Sequence, residues 1–363
     1  MELEIFSGKW LSQYFNLLGL ENEYISHSIG CSSTIYKFKL LKCNYTPNFT
    51  LKCIKTLSNF INVNVNVLKD DEAGILKIRI VNKERYFPNF FNRCDCLENT
   101  EDGSMLFGID ENNEPIIFNI QKTKSLLVAG TSGSGKSVAM NNLICSLSLY
   151  SDNSKVRINL IDLKRVEFSI FQNFCIVDDY ASDYEKAILI LNNMLDEIQK
   201  RYKIMEQKGI RKATTRDFPI LITFIDEYAE LSSINQKVVD GLVSRIAQIG
   251  RACNVYLVIA TQTPTNKVIS NLIRSNIQSR IGLRTTNTSQ SVAILQTRDC
   301  VDLLGAGDSY LSIDGVNGFI RVQICNITED EILKRTNLVS LEEAKKYRKK
   351  KTFIDFMKGL FKK

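Results

Sequence analysis

The chain has 363 residues and a formal net charge of +7, of which residues 344–363 carry +8 and the remainder therefore −1. This distribution excludes a uniformly basic nucleic-acid coat. His27 is the single histidine, which excludes hydrolases built on a histidine dyad and HExxH metalloproteases. The apolar content of 44% predicts a folded protein.

Targeting signals are absent from the sequence pattern. No apolar run approaches the roughly 18 residues of a membrane helix, and no basic leader precedes an apolar stretch. Ten cysteines without a secretion signal indicate reduced thiols and a cytoplasmic protein. Cys94 and Cys96 form a C-x-C pair, which alone is a weak sign of a metal site.

Short strands and turns dominate the first 110 residues, which predicts a small β-rich or α+β subdomain. Period-2 alternation or apolar enrichment favours strands at 35–41, 61–67 and 75–81, with a further short strand at 116–120.

From residue 125 onward, short apolar runs alternate with longer helical patterns. Strands are predicted at 125–130, 156–162, 174–177, 218–226, 255–260 and 277–283, and helices at 136–150, 184–207, 235–253 and 289–296. This alternation predicts an α/β domain over 111–327, with a central, mostly parallel sheet flanked by helices. A hairpin is predicted at 309–325, at the end of this domain. Residues 328–363 are predicted to form a separate C-terminal segment, a helix followed by a basic tail.

A phosphate-binding loop follows the first of these strands. Residues 130–137 read GTSGSGKS, the full GxxxxGK[ST] pattern, between a strand and a helix. The predicted nucleotide contacts are Gly130, Thr131, Ser132, Gly133, Ser134, Gly135, Lys136, Ser137 and Val138. Lys136 is expected at the β- and γ-phosphates of ATP and the Ser137 hydroxyl on Mg²⁺.

Two later strand ends carry the other expected catalytic groups. Asp226 follows the strand FPILITFI and is the predicted Mg²⁺ partner, while Glu227 is the predicted base for the attacking water. Gln262 ends the next strand and is a candidate sensor of the γ-phosphate; a satisfied loop amide is the structural alternative.

Several segments together resemble one family. LLVAGTSGSGKSVAMNNLI, INLIDLKRVEFSIF, LITFIDEYAEL, RIAQIGRACNVYLVIATQTP and LLGAGDSYLS occur in the order found in the motor domain of FtsK/SpoIIIE DNA translocases. The similarity spans about residues 105–325 and continues more weakly toward residue 50. It implies a RecA-like P-loop ATPase that uses ATP and Mg²⁺, assembles into a ring, usually hexameric, and threads double-stranded DNA.

The resemblance also implies an arginine that reaches a neighbour's nucleotide. Arg251 is the first candidate and Arg201 the second, against surface or intrasubunit pairing. Basic segments suit a motor that tracks phosphates without reading bases, with a solvated face as the alternative. The candidate DNA contacts are Lys208, Arg211, Lys212, Arg216, Lys267, Arg274 and Arg280.

The sequence departs from the family pattern at several points. It shows no membrane-spanning segment and no C-terminal winged-helix module, and Thr263 stands where the family commonly has arginine. These differences favour a reduced motor that moves the DNA of a plasmid, integrative element or phage. The basic, amphipathic tail 340–363 would contact an anionic membrane surface, a partner protein or DNA, or would serve only as a solubilising tail.

Two other functions remain open at this point. Type VII protein-secretion ATPases share these motifs, although they carry several motor domains in tandem. A nucleotide-dependent DNA-binding accessory protein of replication or transfer is the second alternative, disfavoured by the intact Glu227.

Overall fold

The computed structural model describes residues 6–42, 45–68 and 72–334 and divides into two compact units. One unit takes the chain up to Pro88 and also Ile109–Pro115, and the other takes Asn89–Gly108 and the chain from Ile116. The boundary between the units therefore falls at 88/89, whereas the sequence predicts it at 110/111. Residues Ile109–Pro115, the turn of a later hairpin, are counted with the first unit. The tail 340–363 lies outside the described residues.

The first unit is an antiparallel sheet packed with two helices. Its strands are ordered β1-β2-β4-β3, and a core of buried side chains such as Leu11, Phe15, Phe38 and Ile78 joins sheet and helices. Its elements in chain order are α1 Gly8–Leu17, β1 Asn22–Ile29, β2 Ser33–Leu40, α2 Pro47–Ile61, β3 Val65–Leu68 and β4 Ile75–Val81.

The strand predicted at 61–67 is wrong in its first half. Ile61 is the last residue of α2, and Asn62 follows it in a left-handed conformation with φ of 53°. Strand β3 begins only at Val65. Alternating asparagines imitate a strand, but asparagine also tolerates the left-handed conformation that ends a helix.

The second unit contains the predicted α/β domain, and this fold class is confirmed. Six strands run parallel in the order β12-β7-β11-β10-β8-β9 within a ten-stranded sheet that continues as β13, β14, β5 and β6. The elements in chain order are β5 Ser104–Asp110, β6 Pro115–Asn119, α3 Ile120–Thr123, β7 Leu126–Ala129, α4 Lys136–Tyr150, β8 Val156–Ile161, β9 Val177–Ala181, α5 Tyr184–Lys208, β10 Ile220–Ile225, α6 Tyr228–Ile234, α7 Gln236–Ile249, β11 Val255–Thr261, α8 Asn271–Asn276, β12 Ser279–Leu283, α9 Thr288–Leu295, β13 Asp308–Ser312 and β14 Ile320–Ile324.

Most predicted elements of this unit match the structure within a few residues. The strand predicted at 174–177 is the exception, since β9 occupies Val177–Ala181. Strands β7 and β11 are buried at every position, as expected for a sheet covered on both faces. Among the described residues, none of the helices combines the length and apolar character that crossing a membrane requires.

A buried ion pair fastens the β13–β14 hairpin. Arg321 donates through Nε to Asp308 Oδ1 at 2.9 Å and through Nη2 to Oδ2 at 2.7 Å. Both side chains are almost fully buried, and Asp308 also accepts the Leu304 amide at 2.8 Å. Such a pair is costly to break, because removing one partner leaves the other charge buried without compensation.

We expect Arg321→Ala to lower the free energy of unfolding by about 3–5 kcal/mol, because Asp308 loses its countercharge. The matched control is Lys122→Ala, which removes the exposed pair with Glu101 and should cost less than about 1 kcal/mol. Urea unfolding followed by circular dichroism measures both, and equal losses in the two variants would contradict the assignment.

Candidate nucleotide site

The predicted phosphate loop joins the carboxyl end of β7 to the first turn of α4. Gly133 and Gly135 have φ of 74° and 107°, which side chains rarely adopt. A Cβ at Gly135 would lie 2.6 Å from the Gly307 nitrogen, so the chain passes too closely there for any other residue. The loop therefore presents the amino end of a 15-residue helix, a favourable place for an anion.

One buried polar atom in the loop supports a phosphate ligand. Ser134 is 3% exposed, and its Oγ has no hydrogen-bond partner among the described residues. A buried hydroxyl without a partner costs free energy, and a phosphate oxygen would satisfy it. The donor set of the loop thus fits the nucleotide that the sequence predicts.

Lys136, at the start of α4, and Asp226, after β10, form a buried ion pair. Lys136 Nζ forms an ion pair with Asp226 Oδ1 and donates to the Asp226 carbonyl oxygen at 3.0 Å. Burial raises the pKa of Asp226, Lys136 opposes this shift, and the carboxylates of Glu167 and Asp162 reinforce it. The ionised Asp226 therefore depends on a cation beside it.

Ser137 contacts a carboxylate that the sequence analysis did not select. Its hydroxyl donates to Glu167 Oε1 at 2.6 Å. Glu167 belongs to the segment 162–168 that follows β8, and β8 ends at the same edge of the sheet as β7. The signal available in the sequence was the acidic residue in INLIDLKRVEFSIF, one of the segments that carry the resemblance.

Glu227 is held by the end of the neighbouring strand. Its Oε1 accepts the Thr261 hydroxyl at 2.7 Å, and its Oε2 accepts the Gln262 amide at 2.9 Å. The Thr261 carbonyl in turn accepts the Gly130 amide of the phosphate loop at 3.2 Å. The predicted base and the predicted phosphate site are therefore fixed to the same residue. Gln262 itself is half-buried beside Glu227.

The residue after Glu227 begins a buried polar network. Tyr228 donates to Asp240 Oδ1 at 2.5 Å, and Ser270 donates to Asp240 Oδ2 at 2.9 Å. Ser270 also caps α8, since its side chain accepts the Ile273 amide. The start of α6, the middle of α7 and the start of α8 are thus joined through one carboxylate.

The two candidate arginines occupy different environments. Arg251 is exposed, in the turn that leads into β11, at the opposite edge of the sheet from the phosphate loop. Arg201 is only 4% exposed, and its guanidinium donates to Glu197 and to the carbonyls of Pro219 and Cys253 at 2.7–2.9 Å. Arg201 is therefore unavailable to a neighbouring subunit, and the intrasubunit alternative is the correct one for it.

Arg280 is a second basic residue that the structure turns inward. It is 8% exposed and donates to the carbonyls of Ile277, Ile294 and Arg274. Burial lowers the pKa of Arg280, and nearby Arg274 adds to this shift. The prediction that Arg280 contacts DNA is therefore wrong, because its guanidinium already satisfies buried carbonyls.

The other basic candidates fall at opposite ends of α7. Near its start, Gln236 donates to the Lys267 carbonyl at 2.6 Å, and beyond its end the Ala213 amide donates to the Ala252 carbonyl at 2.8 Å. A helix of this length spans about 20 Å, so the structure does not gather these candidates into one patch. Four of them surround Ala213 and are exposed: Lys208, Arg211, Lys212 and Arg216.

Lys267 and Arg274 form the other group. Lys267 is exposed, whereas Arg274 is half-buried and donates to Asn266 and Asn271 at 2.7–2.9 Å. The nine described cysteines are free, and no group of three His, Cys, Asp or Glu side chains within 6–42, 45–68 and 72–334 could hold a metal ion alone.

The chain is similar to known proteins of one family. The model of the FtsK/SpoIIIE family matches residues 98–218 and 212–266. The DNA translocase FtsK of Helicobacter pylori J99 is 34% identical over 257 residues, which cover 68% of this chain and 30% of that protein. SpoIIIE of Bacillus subtilis is 29% identical over 270 residues, covering 69% and 34%. The chain thus spans about a third of the length of these curated relatives.

Solved structures support the fold. The pCW3 conjugation coupling protein TcpA, solved with ATPγS, has a TM-score of 0.61 at 20% identity and covers 90% of this chain and 99% of its own. The type VII secretion ATPase EccC of Thermomonospora curvata has a TM-score of 0.56 at 21% identity, covering 68% and 33%. At these identities the likeness shows the fold alone, that of a RecA-like P-loop ATPase.

Proposed function

Because this chain belongs to the FtsK/SpoIIIE family of P-loop ATPases, we propose that it hydrolyses ATP to translocate double-stranded DNA. The observation that carries the proposal is the convergence of Lys136, Asp226 and Glu227 at one edge of a parallel sheet, beside a complete phosphate loop. The ATPase activity, the DNA substrate and the assembly are proposed for this chain, because it matches only about a third of the length of its relatives.

The residues of the loop have separate roles in this proposal. The loop amides and the Ser134 hydroxyl bind the phosphates, and Lys136 supplies the compensating positive charge. Ser137 and Asp226 are the residues that would hold Mg²⁺, which when bound neutralises charge developing on the phosphate oxygens. Lys136 is 3% exposed and Asp226 is 2% exposed, so solvent screens their electrostatic interactions only weakly.

Glu227 is the proposed base. Its carboxylate accepts hydrogen bonds from the Thr261 hydroxyl and the Gln262 amide, which fix the position from which it would accept a proton. Gln262 would contact the γ-phosphate from the adjoining strand end. The role of these residues is to orient a water molecule and accept its proton as it attacks.

The DNA contacts are proposed at the exposed basic residues that the structure leaves facing solvent. Lys208, Arg211, Lys212 and Arg216 surround one turn, and all four are exposed. The exposed Lys267 and the half-buried Arg274 would form a second contact near the other end of α7. Phosphate contacts of this kind are independent of base sequence, as a translocating motor requires.

Ring assembly is proposed because Arg251 is exposed at the sheet edge opposite its own phosphate loop. A head-to-tail interface brings one edge of a subunit against the opposite edge of the next, and such interfaces close into rings. Arg251 would then stabilise the charge developing on a neighbour's nucleotide.

Transfer of a mobile element's DNA is the process we propose. The fold shared with TcpA covers 90% of this chain, which must include most of the first unit, whereas the fold shared with EccC covers 68%. The first unit is therefore part of what resembles a conjugation coupling protein. Stimulation of hydrolysis by a secreted peptide instead of DNA would favour the secretion alternative.

We expect duplex DNA to increase the ATP hydrolysis rate of the wild-type protein and Lys136→Ala to abolish hydrolysis, because the phosphates lose their countercharge. Glu227→Gln should bind ATP normally but turn over about 10²–10⁴-fold more slowly, because the base is lost. A coupled phosphate-release assay measures turnover. Hydrolysis indifferent to duplex DNA would contradict the proposed translocase.

The exposed basic turn gives a second prediction. Arg211→Ala combined with Lys212→Ala should weaken duplex binding and reduce the slope of log affinity against log salt by about two, since each lost phosphate contact removes nearly one counterion. Fluorescence anisotropy over a salt series measures this slope. The control pair, Lys52→Ala with Lys55→Ala on α2, removes two exposed lysines; an equal change in both pairs would contradict a specific contact.

The neighbour-directed role of Arg251 is tested by mixing two inactive variants. Arg251→Ala and Lys136→Ala should each be inactive alone, yet a 1:1 mixture should recover about a quarter of wild-type activity, because a quarter of head-to-tail interfaces combine one intact lysine with one intact arginine. The comparison is a 1:1 mixture of Arg201→Ala with Lys136→Ala, because Arg201 is buried within its own subunit. A mixture without recovered activity would refute the role of Arg251.

A further inference from the structure

The Ser137 hydroxyl has a fixed direction in this structure. A hydroxyl has one proton to donate and two lone pairs, and an ionised carboxylate can only accept. The 2.6 Å contact between Ser137 Oγ and Glu167 Oε1 therefore directs the proton toward Glu167 and the lone pairs away from it. Those lone pairs are what a hydroxyl uses to ligate a cation.

We propose that Glu167 is a positioning residue for magnesium, which orients the Ser137 hydroxyl so that its oxygen faces the ion carried by bound nucleotide. The inference rests on the proposed ATP-binding function of the same site. Glu167 acts here through Ser137: a carboxylate that accepts a ligand's proton fixes the ligand's rotation and increases the electron density on the ligating oxygen.

Asp226 is engaged elsewhere and does not take this proton. Its Oδ1 is paired with Lys136, whose Nζ also donates to the Asp226 carbonyl at 3.0 Å. The two neighbouring loop side chains, Lys136 and Ser137, therefore use two different carboxylates. This division leaves the orientation of Ser137 to Glu167.

The segment that carries Glu167 is held rigidly on both sides. Asp162 Oδ1 accepts the Arg165 amide at 3.0 Å, and Asp162 Oδ2 accepts the Phe168 amide at 2.9 Å. Phe168 is fully buried and packs edge-on against Phe224, with ring centroids 6.5 Å apart. Glu167 thus lies directly before an anchored residue, which limits where its side chain can reach.

The arrangement also explains why the ion would need nucleotide. Within the described residues, no three His, Cys, Asp or Glu side chains are grouped so that they could hold a metal ion by themselves. Magnesium prefers oxygen ligands and is bound by few protein groups together with substrate phosphates. The correct orientation of a single neutral hydroxyl therefore carries more weight here than in an all-protein metal site.

The test measures binding of a fluorescent ATP analogue by anisotropy across a series of free Mg²⁺ concentrations, so it does not depend on turnover. For Glu167→Ala, we expect the Mg²⁺ concentration at half-maximal enhancement to rise about 10–100-fold, as for other carboxylates that orient metal ligands. Affinity in excess EDTA should stay unchanged. Glu167→Gln, which can still accept the proton but lacks the charge, should give an intermediate shift. Glu185→Gln, on the exposed first turn of α5, is the charge-matched control.

Each other outcome overturns the proposal. An unchanged Mg²⁺ midpoint in Glu167→Ala, with normal nucleotide binding, refutes the orienting role alone. An equal loss of affinity with and without Mg²⁺ assigns Glu167 to the structure of the loop instead. If the wild-type protein binds no nucleotide under any condition, the proposed function itself fails, and that result is distinct from the other two.

Discussion

Parallel strands must end at a common edge, and every group of the candidate site depends on this constraint. The phosphate loop begins after β7, Asp162 follows β8, Asp226 follows β10, and Thr261 ends β11. Residues separated by more than a hundred positions therefore meet without long loops. Because these strands are buried on both faces, their register cannot slip without moving apolar side chains out of the core. The positions of the reactive groups are thus fixed by hydrophobic packing far from any substrate.

The cost of this arrangement is a concentration of acidic groups in a poorly solvated place. Asp162, Glu167, Asp226 and Glu227 all lie within the same edge of the sheet, and Asp226 has a raised pKa because of burial and its acidic neighbours. Each carboxylate is compensated differently: Asp162 by backbone amides, Glu167 by a hydroxyl, Asp226 by a lysine, and Glu227 by a hydroxyl and an amide. Burying such groups is tolerated only because none lacks a donor.

The sequence predicts much of the second unit, because its signals are local. Helix α4 begins and ends at the predicted residues, since the glycines before it and the apolar pattern within it agree. In the first unit, α1 and α2 were not predicted, although Thr46 and Pro47 form a recognisable helix start. The alternation in INVNVNV predicted a strand, but Asn62 adopts the left-handed conformation that ends α2.

The sequence does not predict which basic side chains are exposed and which are buried. Arg201 and Arg280 look like surface cations in the sequence, yet both donate to backbone carbonyls of buried residues, Cys253 for Arg201 and Ile294 for Arg280. Charge alone does not reveal whether a guanidinium faces solvent, because its stem and its five donors also suit the interior. Glu167 was missed for a related reason: its importance depends on Ser137, thirty residues earlier in the chain, and only the fold brings them together.

Thr261 links two parts of the candidate site. Its carbonyl accepts the Gly130 amide and its hydroxyl donates to Glu227, so the start of the phosphate loop and the base share one residue. Neither can shift alone without breaking a hydrogen bond in the core. The phosphate loop and Glu227 are therefore held in fixed positions relative to each other at this edge of the sheet. In the proposed ring, the timing of ATP hydrolysis would then depend on the arrival of the neighbour's arginine and of the magnesium ion, and not on a rearrangement within this site.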